Sequence, residues 1–192
     1  QSARELARTQ RTPDEVMRCA QNALRQHNWT GAWGADADHL RTQEDVEYFA
    51  AAGFTFFTID PSAYVNNAAG HLNHMALQLA LDELCRAGAF ASVLEIESLY
   101  MNRSFDLPGS GLLAFTDREL LLRTAVKYGL AIAYAQQMAA WIAGAAATHE
   151  IELSVDETDT PTSPLEHLFI ALELRRRNIR VVSLAPRFLG DF

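Results

Sequence analysis

Two adjacent carboxylates, Asp156 and Glu157, close the apolar-rich run Glu150-Ile151-Glu152-Leu153-Ser154-Val155. They stand where a buried strand hands over to a polar loop and then to a well-marked helix start. In α/β folds that edge of the sheet is where ligands bind. The arrangement recurs. Asp36, Asp38 and His39 lie in Gly34-Ala35-Asp36-Ala37-Asp38-His39, Asp60 ends Thr58-Ile59-Asp60-Pro61, and Arg187 follows Pro186 at the end of a third strand-like run. Oxygen and imidazole donors of this kind suit Mg, Mn, Zn, Co or Ni. Paired carboxylates can also divide acid and base roles. A guanidinium at Arg187 could clamp a substrate carboxylate through two parallel hydrogen bonds.

Each residue also has a plain structural reading. Aspartate before a helix often caps it, so Asp36 and Asp38 could order their own loop. Asp60-Pro61 is a common turn opener. What favours chemistry is the set, because titratable groups gather at functional sites. His71 and His74 stand three apart at a helix start and read as a solvated pair. His149 reads as a surface turn residue, and His167 as a helix residue that packs or caps. Trp29, Trp33 and Trp141 read as core. Gly109-Ser110-Gly111 lacks the spacing and the preceding strand of a nucleophile elbow.

The elements that would position the set are written in capping signals. Thr12-Pro13-Asp14-Glu15 and Ser163-Pro164-Leu165-Glu166 each combine an N-cap hydroxyl, a proline at the first helical position and a glutamate three residues on. Thr116-Asp117-Arg118-Glu119 and Thr42-Gln43-Glu44-Asp45 are variants. Helices are expected from Pro13 to about His27, Gln43 to Ala52, Leu72 to about Arg86, Asp117 to about Ala147 and Leu165 to about Arg177. Gly129 is a candidate break in the fourth. Strands are expected at Phe54–Ile59, Ile151–Val155 and Arg180–Ala185, with Trp33–Ala37 weaker. Val93-Leu94-Glu95-Ile96-Glu97 alternates and reads as an edge strand or hairpin arm.

Alternating helices and strands imply a mostly parallel sheet covered by helices. Both a (β/α)8 barrel and an open doubly wound sheet satisfy this order. No GxGxxG and no GxxxxGK[ST] occurs, which favours the barrel. The whole chain is then a single α/β barrel domain, residues 1–192, of TIM type. It is an incomplete one, because 192 residues fall short of the roughly 250 usual for that fold.

The bulk numbers agree with an ordinary soluble globular protein. Hydrophobic residues make up 49% and charged residues 21%. A net charge of −8 argues against nucleic acid or an anionic membrane as partner. Cys19 and Cys85 offer no disulfide framework and no cysteine-based zinc pattern, so a reducing, cytoplasmic setting is expected. No signal-peptide core is visible at the start. Gly129–Ala147 is apolar and close to the roughly 20 residues of a membrane span, but its alanines and Gln136-Gln137 favour a packed helix. A truncated barrel would expose a sheet edge through which copies of the chain could pair as a homo-oligomer.

Four runs, in order, carry a resemblance. Gly34-Ala35-Asp36-Ala37-Asp38-His39, Phe56-Phe57-Thr58-Ile59-Asp60-Pro61, Ser154-Val155-Asp156-Glu157-Thr158 with Thr160-Pro161-Thr162, and Ser183-Leu184-Ala185-Pro186-Arg187-Phe188 resemble the signature runs of the tagaturonate epimerase family. The resemblance extends from about Trp33 to Phe192. It implies a cytoplasmic, metal-dependent barrel enzyme, longer than this chain, that interconverts D-tagaturonate and D-fructuronate in hexuronate catabolism. The roles expected on this basis are Glu157 and His39 as metal ligands, Asp38, Asp60 and Asp156 as proton-transferring carboxylates, and Arg187 as the partner of the uronate carboxylate. The inverted carbon lies β to the ketone, so simple enolisation does not activate its hydrogen. Retro-aldol cleavage with reclosure and a hydride shift both remain open, and each needs a Lewis acid and a carboxylate base. Two alternatives stand beside this. One is a different metal-dependent sugar or sugar-acid isomerase or aldolase on a barrel, and the other a non-catalytic sugar-acid binding protein.

Overall fold

A computed structural model describes residues 1–107, 109 and 111–190. The chain divides into two compact units. The first comprises Gln1–Asp60, Ala135–Ser154 and Ile179–Ala185. It begins with helices α1 (Ala3–Thr9) and α2 (Pro13–Gln26), followed by strand β1 (Asp36–Leu40), helix α3 (Gln43–Ala51) and strand β2 (Phe56–Ile59). The second comprises Pro61–Tyr134, Val155–Asn178 and the chain from Pro186. It holds two 3-10 turns at Ser62–Tyr64 and Asn67–Gly70, helices α4 (His74–Arg86) and α5 (Val93–Tyr100), and the strands β3 (Ser104–Leu107) and β4 (Gly111–Ala114). Helix α6 (Arg118–Ala145), strand β5 (Glu150–Val155), helix α7 (Pro164–Arg176) and strand β6 (Ser183–Pro186) complete the order.

The main sheet has the strand order β1-β2-β5-β6, and β1–β2 and β2–β5 pair in parallel. This is a mixed α/β architecture built on a parallel sheet. Ile151, Leu153, Ser154 and Val155 of β5 are all buried, as expected of a strand covered on both faces. The amide of Val182 donates to the Ile151 carbonyl at 2.9 Å.

Three capping boxes form as their sequences dictate, at Thr12/Glu15, Thr42/Asp45 and Ser163/Glu166. The fourth start differs. Asp117, not Thr116, caps α6, its carboxylate accepting the amides of Glu119 at 2.8 Å and Leu120 at 3.2 Å. An aspartate one residue further on reaches the same orphan amides and moves the start. Val93–Glu97 is helical, not a strand. Ser92 caps it by accepting the Glu95 amide, and Ile96 and Tyr100, four apart, form its buried face. The short run satisfies both periodicities, and the cap decides between them. The antiparallel β3–β4 pair lies in a stretch not expected to form strands. Ser110 lies outside the described residues.

Gly129 does not interrupt α6, which is continuous. Its reason is a close approach: a Cβ there would lie 2.6 Å from Leu84 Cδ1 of α4. Trp29 and Trp33 are not core but 58% and 49% exposed. They lie in the irregular segment between α2 and β1, without an amphipathic element to turn them inward. No helix among the described residues is long and apolar enough to cross a membrane. Cys19 and Cys85 are both free thiols.

Candidate metal centre

Strand β1 carries a bulge at the site. Asp36 pairs with Phe56 and Ala37 with Phe57, but Leu40 pairs with Ile59, so β1 holds one residue more than β2 over that stretch. The irregularity falls on Asp38 and His39. His39 has φ 57°, a left-handed backbone that costs an L-residue about 1–2 kcal/mol. Bulges re-aim side chains, and strained residues persist where the surroundings hold them. Asp38 Oδ1 lies 2.6 Å from His39 Nδ1. Pairing with a carboxylate favours the proton on Nδ1 and directs Nε2 toward ligation.

Asp60 follows β2, and its amide continues the ladder by donating to the Leu40 carbonyl at 2.9 Å. Its carboxylate is 2% exposed and accepts from Arg41 Nε at 2.6 Å and Nη2 at 2.5 Å. A buried carboxylate is tolerable only with such charge-assisted bonds. Arg41 was not anticipated. Its sequence signal is its position, one residue beyond the strand that carries His39.

Glu157 is exposed and lies two residues beyond β5. His39, Asp60 and Glu157 each offer a ligand atom, all within 4.8 Å of one another. Two atoms each about 2.1 Å from one ion are at most about 4.2 Å apart. A spread of no more than 4.8 Å is close to that span. One imidazole and two carboxylates form a donor set suited to a first-row divalent ion. The Asp38–His39 contact adds the outer carboxylate that commonly orients a ligating histidine. The residues therefore fit a metal.

The remaining expected residues stand differently. Asp36 opens β1 opposite the first residue of β2, so it belongs to the start of the strand and not to its C-terminal end. It accepts the Thr58 hydroxyl at 3.1 Å. Burial raises its carboxyl above the usual range, and the Thr58 bond offsets part of this. Asp156 adjoins Glu157, and its carbonyl accepts the Thr158 amide at 2.9 Å. Arg187 is tied to Thr162 by main-chain groups, its amide donating to Oγ1 at 3.1 Å and its carbonyl accepting the Thr162 amide at 2.9 Å. Neither belongs to the ligand group. His71, His74 and His167 are exposed, and His149 Nδ1 contacts the Ala146 carbonyl at 2.7 Å.

A family model described as UxaE, tagaturonate epimerase, matches residues 1–192. The chain is 36% identical over 195 residues to a tagaturonate/fructuronate epimerase of Thermotoga maritima, covering 100% of this chain and 38% of the relative. Crystal structures of a fructuronate-tagaturonate epimerase UxaE from Cohnella laeviribosi, native and with one glycerol, match at a TM-score of 0.88 and 33% identity. They too cover all of this chain, which spans 38% of their length. The chain belongs to the tagaturonate epimerase family, UxaE.

Proposed function

We propose that the chain serves a divalent-metal-dependent epimerase that interconverts D-tagaturonate and D-fructuronate, with His39, Asp60 and Glu157 as ligands. The observation that carries the metal reading is the convergence of these three ligand atoms within 4.8 Å. The family match and the two named relatives support the substrate pair. Asp60, expected as a proton carrier, is reassigned here to the ligand set.

A bound divalent ion would supply Lewis-acid polarisation of the sugar acid's ketone and hydroxyl oxygens. The chain's own residues do the rest. Asp38 holds the His39 ring by its Nδ1. Arg41 fixes the Asp60 carboxylate. We assign proton transfer to Asp156, supported by its adjacency to Glu157, and recognition of the uronate carboxylate to Arg187. We also assign the fold to the (β/α)8 barrel type. The parallel β1-β2-β5 pairing with intervening helices supports that assignment.

The test is conversion of D-tagaturonate by chelator-treated protein with Mg, Mn, Zn, Co or Ni restored singly, following D-fructuronate by chromatography. Restoration by an added ion is expected, with loss in His39→Ala and Glu157→Gln. Conversion that ignores both chelator and these substitutions would overturn the assignment. For Arg187→Ala, uronate should lose far more affinity than a neutral ketose, and equal losses would sink that role.

A further inference from the structure

Lys127 is the only charged residue between Arg123 and Glu150, and it is 6% exposed. An ammonium in such a place is unfavourable unless its donors are used. They are used on one loop and on the first turn of the helix that follows it. Lys127 Nζ donates to Thr160 Oγ1 at 3.0 Å and to Glu166 Oε1 at 2.8 Å. Glu166 Oε2 in turn accepts the Ser163 amide at 2.7 Å. Within the loop, the Thr158 hydroxyl donates to the Thr160 carbonyl at 3.0 Å. The main chain of Lys127 reaches the same loop by a second route. Its carbonyl accepts the Asn66 amide at 2.9 Å, and neighbouring Asn67 Oδ1 accepts the Asp159 amide at 3.1 Å.

The segment from Asp156 to Ser163 is therefore anchored at Thr160 by Lys127 itself, at its far end by Glu166, which Lys127 holds, and at Asp159 by Asn67, the chain neighbour of the residue bonded to the Lys127 carbonyl. That segment carries Glu157. A leucine would fill the same space in an otherwise apolar stretch without the burden of a buried charge. Burial pulls the Lys127 ammonium toward neutrality, but its bond to Glu166 and the neighbouring Tyr128 outweigh this and hold it charged.

We propose that Lys127 is a positioning residue that fixes the Asp156–Ser163 loop so that Glu157 is presented as a metal ligand. This rests on the reading that His39, Asp60 and Glu157 bind a divalent ion. The test is calorimetric titration of the metal-depleted protein with Mn(II), with no turnover involved. Lys127→Met should weaken Mn(II) binding by about 10- to 100-fold, the range seen when residues orienting ligands are removed. Lys127→Arg should retain most of the affinity. Glu173→Gln, a destabilising change in a different buried cluster, should leave it unchanged. Wild-type Mn(II) affinity in Lys127→Met would overturn the proposal, and so would an equal loss in Glu173→Gln. Should Lys127→Met fail to fold, Thr160→Val decides, since it removes one anchor and spares the Lys127–Glu166 pair. Weaker binding there upholds the proposal and unchanged binding overturns it. Absence of Mn(II) binding in the wild type, or binding indifferent to His39→Ala, would instead refute the metal reading and take the proposal down with it.

Discussion

Two carboxylates, Glu173 and Glu157, show how differently an acid can be used. Glu173 on α7 has no exposed surface. It accepts the Tyr100 hydroxyl, Arg176 Nε at 2.7 Å and Nη2 at 2.8 Å, and Arg177 Nε at 3.2 Å. Burial and the Glu173 bond push the Tyr100 hydroxyl well above its usual range, so it remains a donor. Every lone pair is spoken for, and α5 and α7 are joined as a result. Glu157 is exposed, two residues beyond a strand, and converges with one histidine and one further acid. Burial alone would have picked the wrong glutamate. The feature that marks a site is convergence of donors of one kind of chemistry, not depth.

The largest effect should come from Glu173→Gln. Arg176 and Arg177 would lose the buried carboxylate they share, and chemical denaturation should show a loss of about 3 kcal/mol, with Mn(II) affinity intact. An equal loss of Mn(II) affinity would erase the distinction between the two acids. Asp38→Asn should do the reverse. Folding stability should hold, while metal affinity falls about 10- to 100-fold because the His39 ring loses its orienting carboxylate. At position 39 itself, both His39→Ala and His39→Gly should abolish binding. The glycine variant should nonetheless be more stable than the alanine variant by about 0.5–1 kcal/mol, because φ 57° suits glycine. Equal stability would mean that the bulge stores no strain.

The smallest effect concerns Asp36, whose raised pKa means that its proton is bound more tightly in the folded chain than in the unfolded one. Its share of stability is full below the ordinary value of 3.8 and is lost as pH rises through the folded value. Asp36→Asn should match the wild type in acid and exceed it by a fraction of a kcal/mol at neutral pH. Urea unfolding at the two pH values would check this, and a wild type more stable than the variant at neutral pH would reverse the sign.

Local signals in the sequence were decisive where the physics is local. Thr12, Thr42 and Ser163 cap their helices because the partners lie three residues away. Asp60 and Glu157 were legible as strand-end acids because the strands themselves are strongly patterned. Other features depend on partners far along the chain. Arg41 meets Asp60 across 19 residues and Lys127 meets Glu166 across 39, which no spacing rule announces. The left-handed His39 leaves no trace in residue type, since glycine or asparagine would be the ordinary choice there. Lys127 likewise takes its meaning from the loop it reaches, not from its own stretch of sequence.

The packing of the helix that carries this lysine depends on an atom that is not there. Gly129 follows Lys127 by two residues on α6, and the missing methyl lets Leu84 of α4 seat directly against the helix backbone. Contact at that depth works as a gauge block. It sets how closely α4 and α6 approach at this point. A residue as small as alanine at 129 would press its methyl into Leu84 and shim the helices apart.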